Sequence, residues 1–171
     1  MNARAVTLPL AVFGLACALA MPAWAVVHSE SMLGSGAAVC QLSIPTIDTV
    51  VAPRANGYRN PGTTGAFVIC GVVAPTHAEF KTVALALLSL DGQTHAVSCT
   101  GVNGIPGLSA QAYLTKTFDV STGGYGLAFS AGEFGGSSTI PSSQTFTVTC
   151  NLPPQTAISY IGGSYDLDVG N

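Results

Sequence analysis

Thr145-Phe146-Thr147-Val148-Thr149-Cys150-Asn151-Leu152 alternates without a break. In an extended chain successive side chains point to opposite faces. Phe146, Val148, Cys150 and Leu152 therefore share one face, and Thr145, Thr147, Thr149 and Asn151 share the other. One apolar and one polar face predict a strand of an antiparallel sheet with one side buried. The same period recurs, less cleanly, at 39–44, 47–51, 66–73, 83–88, 95–99, 112–120, 125–130, 157–161 and 165–169. Gly, Asn, Asp and Pro pairs cut these runs apart, among them Asn56-Gly57, Asn103-Gly104, Gly123-Gly124 and Gly162-Gly163. Asp91-Gly92 is the strongest hairpin signal, between the runs at 83–88 and 95–99, because Asp-Gly suits a turn with positive φ at both central residues. About ten short strands predict an all-β chain, an antiparallel β-sandwich or jelly roll. One segment competes. Thr76-His77-Ala78-Glu79 matches a helix capping box, so 76–90 reads as strand or helix, with strand preferred. Residues 131–143 have little pattern and read as a long surface loop.

The first 25 residues read differently. Arg4 is followed by an uncharged run from Val6 to Met21, then by Pro22 and the small-x-small Ala23-Trp24-Ala25. Basic, apolar and small segments in that order predict a secretory signal peptide over 1–25, cleaved between Ala25 and Val26. The apolar run is shorter than the roughly 20 residues that span a bilayer. A lipidated Cys17 would call for Leu at the position of Gly14. Cleavage removes Cys17, and the odd count of five cysteines becomes an even set: Cys40, Cys70, Cys99 and Cys150. Paired cysteines are expected of an exported domain, periplasmic or extracellular. After the signal, residues 26–38 are rich in Ser and Gly and read as a flexible leader, and 39–171 as one disulfide-stapled domain.

A weak internal echo lays Val68-Ile69-Cys70-Gly71-Val72-Val73-Ala74 on Val148-Thr149-Cys150-Asn151-Leu152-Pro153-Pro154, with Cys40 upstream of the first and Cys99 of the second. It predicts two similar halves, one per sheet or per Greek key. It also predicts the bridges Cys40–Cys70 and Cys99–Cys150, against Cys70–Cys99 with Cys40–Cys150. Residues 67–75 and 146–154, with Cys40 and Cys99, make the chain similar to a group of uncharacterised secreted bacterial four-cysteine proteins. That resemblance implies a β-sandwich and export and implies no activity. Val73-Ala74-Pro75 departs from the Leu-Pro-Pro form seen at 152–154.

Beyond the signal the basic residues are Arg54, Arg59, Lys81 and Lys116, against eight acidic ones in the chain. That leaves little to neutralise a phosphate backbone, so no nucleic-acid partner is expected. Charged residues make up 8% of the chain, against roughly 25% in typical soluble domains. The histidines, His28, His77 and His95, form no His-Glu-x-x-His, and His77-Ala78-Glu79 lacks the Cys-x-x-Cys of a zinc deaminase. No Gly-x-Ser-x-Gly elbow or phosphate loop occurs. Asp166 and Asp168 share a strand face and suit a Ca²⁺ site or a glycosidase acid pair; a solvated face is the preferred reading. Tyr58 and Tyr125 are the candidate platforms for a sugar ring, since Trp24, the only tryptophan, leaves with the signal. No catalytic residue, metal site or cofactor is assigned, and no later apolar run is long enough to span a membrane as a helix. The expected function is a non-enzymatic structural or interaction role with envelope proteins or glycans as partners. The alternatives are a carbohydrate-binding module or a pilin-like fibre subunit. For the latter, Gly163-Ser164-Tyr165-Asp166-Leu167-Asp168 is similar to a pilin's terminal strand.

Overall fold

The computed structural model describes residues 26–44 and 50–168. The proposed signal peptide and most of the expected strand at 47–51 lie outside the described residues. The elements run β1 (Val27–Ser35), a one-turn helix α1 (Gly36–Val39), β2 (Cys40–Leu42), β3 (Ala52–Arg54), β4 (Gly57–Asn60), β5 (Ala66–Val73), β6 (Phe80–Ser89), β7 (His95–Asn103), β8 (Ala112–Val120), β9 (Tyr125–Ser130), a 3₁₀ turn (Ala131–Phe134), β10 (Thr145–Leu152) and β11 (Thr156–Asp168).

They form two antiparallel sheets packed face to face. The first has the order β3-β4-β11-β6-β9, with β1 also on β11; the second has the order β2-β5-β10-β7-β8. β4 pairs with β11 only at 156–158, and β1 takes the remainder of that edge, from Tyr160 to Asp168. The core lies between the sheets and is filled from both by Phe80, Phe129, Phe146, Leu85, Ile158 and Ile161, all fully buried. Each such side chain contributes about 1.5–3 kcal/mol by leaving water.

The inner face of the second sheet carries both disulfides. Cys40 stands directly opposite Cys70 on β2 and β5 and is bonded to it; Cys99 stands opposite Cys150 on β7 and β10 and is bonded to it. The geometric reason is close approach: the Cα atoms are 4.1 Å and 4.0 Å apart, the spacing of facing residues in an antiparallel pair. The two similar halves are not one per sheet. β5 and β10 are neighbours in the same sheet, with Cys70 opposite Val148 and Cys150 opposite Val68.

Several expectations fail. β6 and β7 do not form a hairpin at Asp91-Gly92, because they belong to different sheets. The chain passes from sheet to sheet at almost every connection, and only β3–β4 and β7–β8 pair as sequence neighbours. Gly162-Gly163 is not a turn but the middle of the 13-residue β11. A Cβ on Gly163 would lie 2.5 Å from the Phe80 ring, and one on Gly162 would lie 2.5 Å from the Met32 carbonyl. These glycines admit close neighbours on either side. Residues 26–38 are not a flexible leader: they form β1 and most of α1, because main-chain pairing with β11 does not depend on side-chain type. The loop 131–143 is not wholly at the surface. Ile140 and Ser143 are fully buried, and the Ser143 hydroxyl accepts from the Phe80 N–H at 2.8 Å. The capping box at 76–79 starts no helix; His77 sits at φ 68° and the chain enters β6 at Phe80.

Candidate functional site

The acidic and histidine residues singled out from the sequence are mostly engaged in holding the fold. Asp166 accepts a hydrogen bond from the Ser29 hydroxyl at 2.6 Å and pairs with Lys81 Nζ at 3.1 Å. Those two partners hold its carboxyl below the usual carboxylate range. A cation of the chain thus already occupies Asp166, and the Asp168 side chain lies outside the described residues. Asp91 accepts from His95 at 2.8 Å, from the Gln93 N–H at 2.9 Å and from the Ser89 hydroxyl at 3.0 Å. Its carboxyl is lowered to about 2, chiefly by the His95 contact. Among the described residues no group of three or more His, Cys, Asp or Glu side chains could hold a metal ion.

At one end of the sandwich the loops before β6, after β7 and before β10 enclose a shallow cleft of about 550 Å³, lined by His77, Glu79, Leu108, Ser109 and Ser142 among others. Glu79 is not free for proton transfer there. One carboxylate oxygen accepts from the Thr139 hydroxyl at 2.9 Å and the other from the Ser142 N–H at 2.7 Å. The carboxylate ties two loops together rather than orienting His77.

The two expected platforms part company. Tyr58 is 5% exposed and hydrogen-bonded to the backbone of Leu42, with burial raising its phenol pKa, so it serves the core and cannot meet a ligand. Tyr125 is 43% exposed, but one ring face is stacked on Phe118 at 4.7 Å, leaving the other for solvent. Sequence reasoning missed Tyr113 and Phe67, which are 64% and 54% exposed. Both lie on the outer face of the second sheet.

That outer face is the most regular surface of the molecule. Thr149 stands opposite Thr100, and Thr100 opposite Thr115, so three threonines form a row across β10, β7 and β8. The hydroxyls of Thr100 and Thr115 are 2.8 Å apart. The neighbouring row is Asn151, Ser98 and Thr117, with the Thr117 hydroxyl donating to Ser98 at 3.2 Å. The row on the other side is Thr147, Val102 and Tyr113. β5 adds Phe67, Ile69, Gly71 and Val73 along the same face. Strand geometry spaces such groups by about 4.8 Å across the sheet and roughly 7 Å along it. Apart from Asp119 near one end of β8, the described residues of β5, β7, β8 and β10 that face outward carry no formal charge. Phe67 and Tyr113 sit diagonally across this face, roughly 20 Å apart by strand spacing and rise.

No helix among the described residues is long and apolar enough to cross a membrane. No protein-family model and no curated protein sequence matches the chain. Two solved structures match the chain distantly. One is a family 11 carbohydrate-binding module from Clostridium thermocellum in complex with a β-1,3-1,4-mixed-linked tetrasaccharide, at 8% identity and TM-score 0.38 over 81% of this chain and 87% of that one. The other is a CBM4 structure, at 8% identity and TM-score 0.31 over 67% of this chain and 66% of that one.

Proposed function

We propose that the chain is an exported, non-enzymatic interaction domain that holds a neutral polysaccharide on the outer face of its second sheet. The observation that carries this reading is the hydroxyl array of Thr149, Thr100, Thr115, Ser98 and Thr117, flanked by exposed Phe67 and Tyr113. Hydroxyl rows donate to and accept from sugar hydroxyls, and an aromatic face covers the apolar side of a sugar ring. The paucity of charge on that face disfavours nucleic acid and anionic polymers. Export is supported by the signal-like residues 1–25 and by two disulfides, which persist in oxidising compartments. The resemblance to secreted four-cysteine bacterial proteins fits the same compartment.

The test is a pull-down of the purified chain on insoluble neutral polysaccharides: β-1,4-glucan, β-1,3-glucan and chitin. Binding to at least one is expected, unchanged between low and high salt. Phe67→Ala with Tyr113→Ala should weaken it roughly tenfold or more, while folding stability moves by only about 0.5 kcal/mol per exposed site. Binding to none of the three, or equal binding by the double variant, would exclude this face as a glycan site.

A further inference from the structure

β1 is attached to the fold in an unusual way. It makes nine consecutive register pairs with β11, from Val27 opposite Asp168 to Ser35 opposite Tyr160. Yet of its nine residues only Met32 and Gly34 are even half-buried, and Met32 is the one side chain it packs against the core. Main-chain hydrogen bonds, each worth about 0.5–1.5 kcal/mol net, hold it instead. A polar latch adds to them, the Ser29 hydroxyl on Asp166 beside Lys81. Behind β1 the chain makes one helical turn, Gly36–Val39, and is then clamped by the Cys40–Cys70 bridge. From Cys40 onward, the two bridges tie β2 to β5 and β7 to β10.

We propose that β1 is an exchangeable strand, leaving its own β11 to pair in the same antiparallel register with β11 of a second copy of the chain. Every main-chain bond β1 makes at home is available on the second copy, so exchange costs association plus the unwinding of α1 and the release of buried Gly36 from β11. The Asp166–Lys81 pair on the acceptor meets Ser29 of the donor, a polar match that selects this chain's own strand over an unrelated one. Straightening residues 36–39 gives the strand roughly 13 Å of reach. The vacated edge of β11 would otherwise display unpaired N–H and C=O groups, a template that only another strand satisfies.

Two chains test this, one carrying Ser31→Cys and the other Ser164→Cys, positions that are register partners between β1 and β11. Mixed at high concentration and then oxidised, they should link through the two substituted positions, as read by non-reducing peptide mapping. The yield should be at least tenfold above a control pair of Ser31→Cys with Ser98→Cys, which lies on the other sheet. Linking no greater than in the control would overturn the proposal. Unsubstituted chains give a second readout free of any folding defect. Chains labelled with ¹⁴N and ¹⁵N, mixed and examined by native mass spectrometry, should yield mixed-label dimers, and single-label monomers alone at every concentration would refute exchange.

Discussion

At the scale of single residues, the polar side chains that matter most are those that close loops. Asn60 is fully buried and uses its whole amide: Nδ2 donates to the carbonyls of Thr64 and Leu152 at 2.8 Å and 2.9 Å, and Oδ1 accepts from the Gly62 N–H at 3.1 Å. In the sequence it is indistinguishable from a turn asparagine before Pro61-Gly62. Asp91 plays the same part at the surface, gathering His95, Gln93 and Ser89 at the β6–β7 connection. Its folded-state pKa is lowered to about 2 from 3.8, so its stabilisation is present above pH 3.8 and is lost as the pH falls toward 2. Asp91→Asn should therefore melt below the parent at neutral pH. The difference between the two should shrink steadily from pH 4 to pH 2. A difference that stays constant across that range would show that the carboxylate charge has no role there.

Elements are held by their facing partners, and the bridges join facing strands. Cys40–Cys70 fixes the short edge strand β2 to β5, whereas Cys99–Cys150 joins β10 and β7 near the centre of the sheet. The sequence separations of 30 and 51 imply roughly 3–4 kcal/mol of chain-entropy stabilisation for each bridge, a large part of the roughly 5–15 kcal/mol that keeps a domain folded. Replacing Cys99 and Cys150 together by Ala should lower the Tm by roughly 10 °C. A calorimetric Tm within a degree or two of the parent would show that the bridge constrains nothing the sheet does not already constrain. At the opposite edge Lys116 joins the two sheets. From β8 it donates to the Ala128 carbonyl on β9 at 2.6 Å, pairs with Glu133 and lies 5.2 Å from the Phe129 ring centroid. Its place in the alternation of β8, between Leu114 and Phe118, gave no hint of this, since a lysine there reads as a break in the apolar face.

For the whole molecule, the first strand among the described residues, β1, starts at Val27, one residue beyond the predicted mature terminus, so the proposed processing and strand exchange meet at the same segment. Edman sequencing of the exported protein should begin at Val26; an intact N-terminus or a lipid on Cys17 would refute that processing. Much of the architecture was legible. Alternation alone located 66–73, 112–120, 125–130 and 145–152 at the bounds the strands have, because a period of two records which face leaves water. The same period says nothing about neighbours. A strand buried on one face looks the same in either sheet, so the sheet-to-sheet path through Asp91-Gly92 was invisible, as was the adjacency of β5 and β10. Nor does composition show where a glycine pair is turn and where it is clearance, and at Gly162-Gly163 the Phe80 ring and the β1 backbone decide. The tyrosines divide in the same way: Tyr58 is buried and Tyr113 is not, by the face each happens to take. By itself, then, the sequence determined most of the strands and their inward side chains, since these depend on local period and composition. Sheet membership, the partner of β1 and the charge-poor face over β10, β7 and β8 came only from the tertiary structure, because main-chain ladders join strands without regard to the side chains they carry.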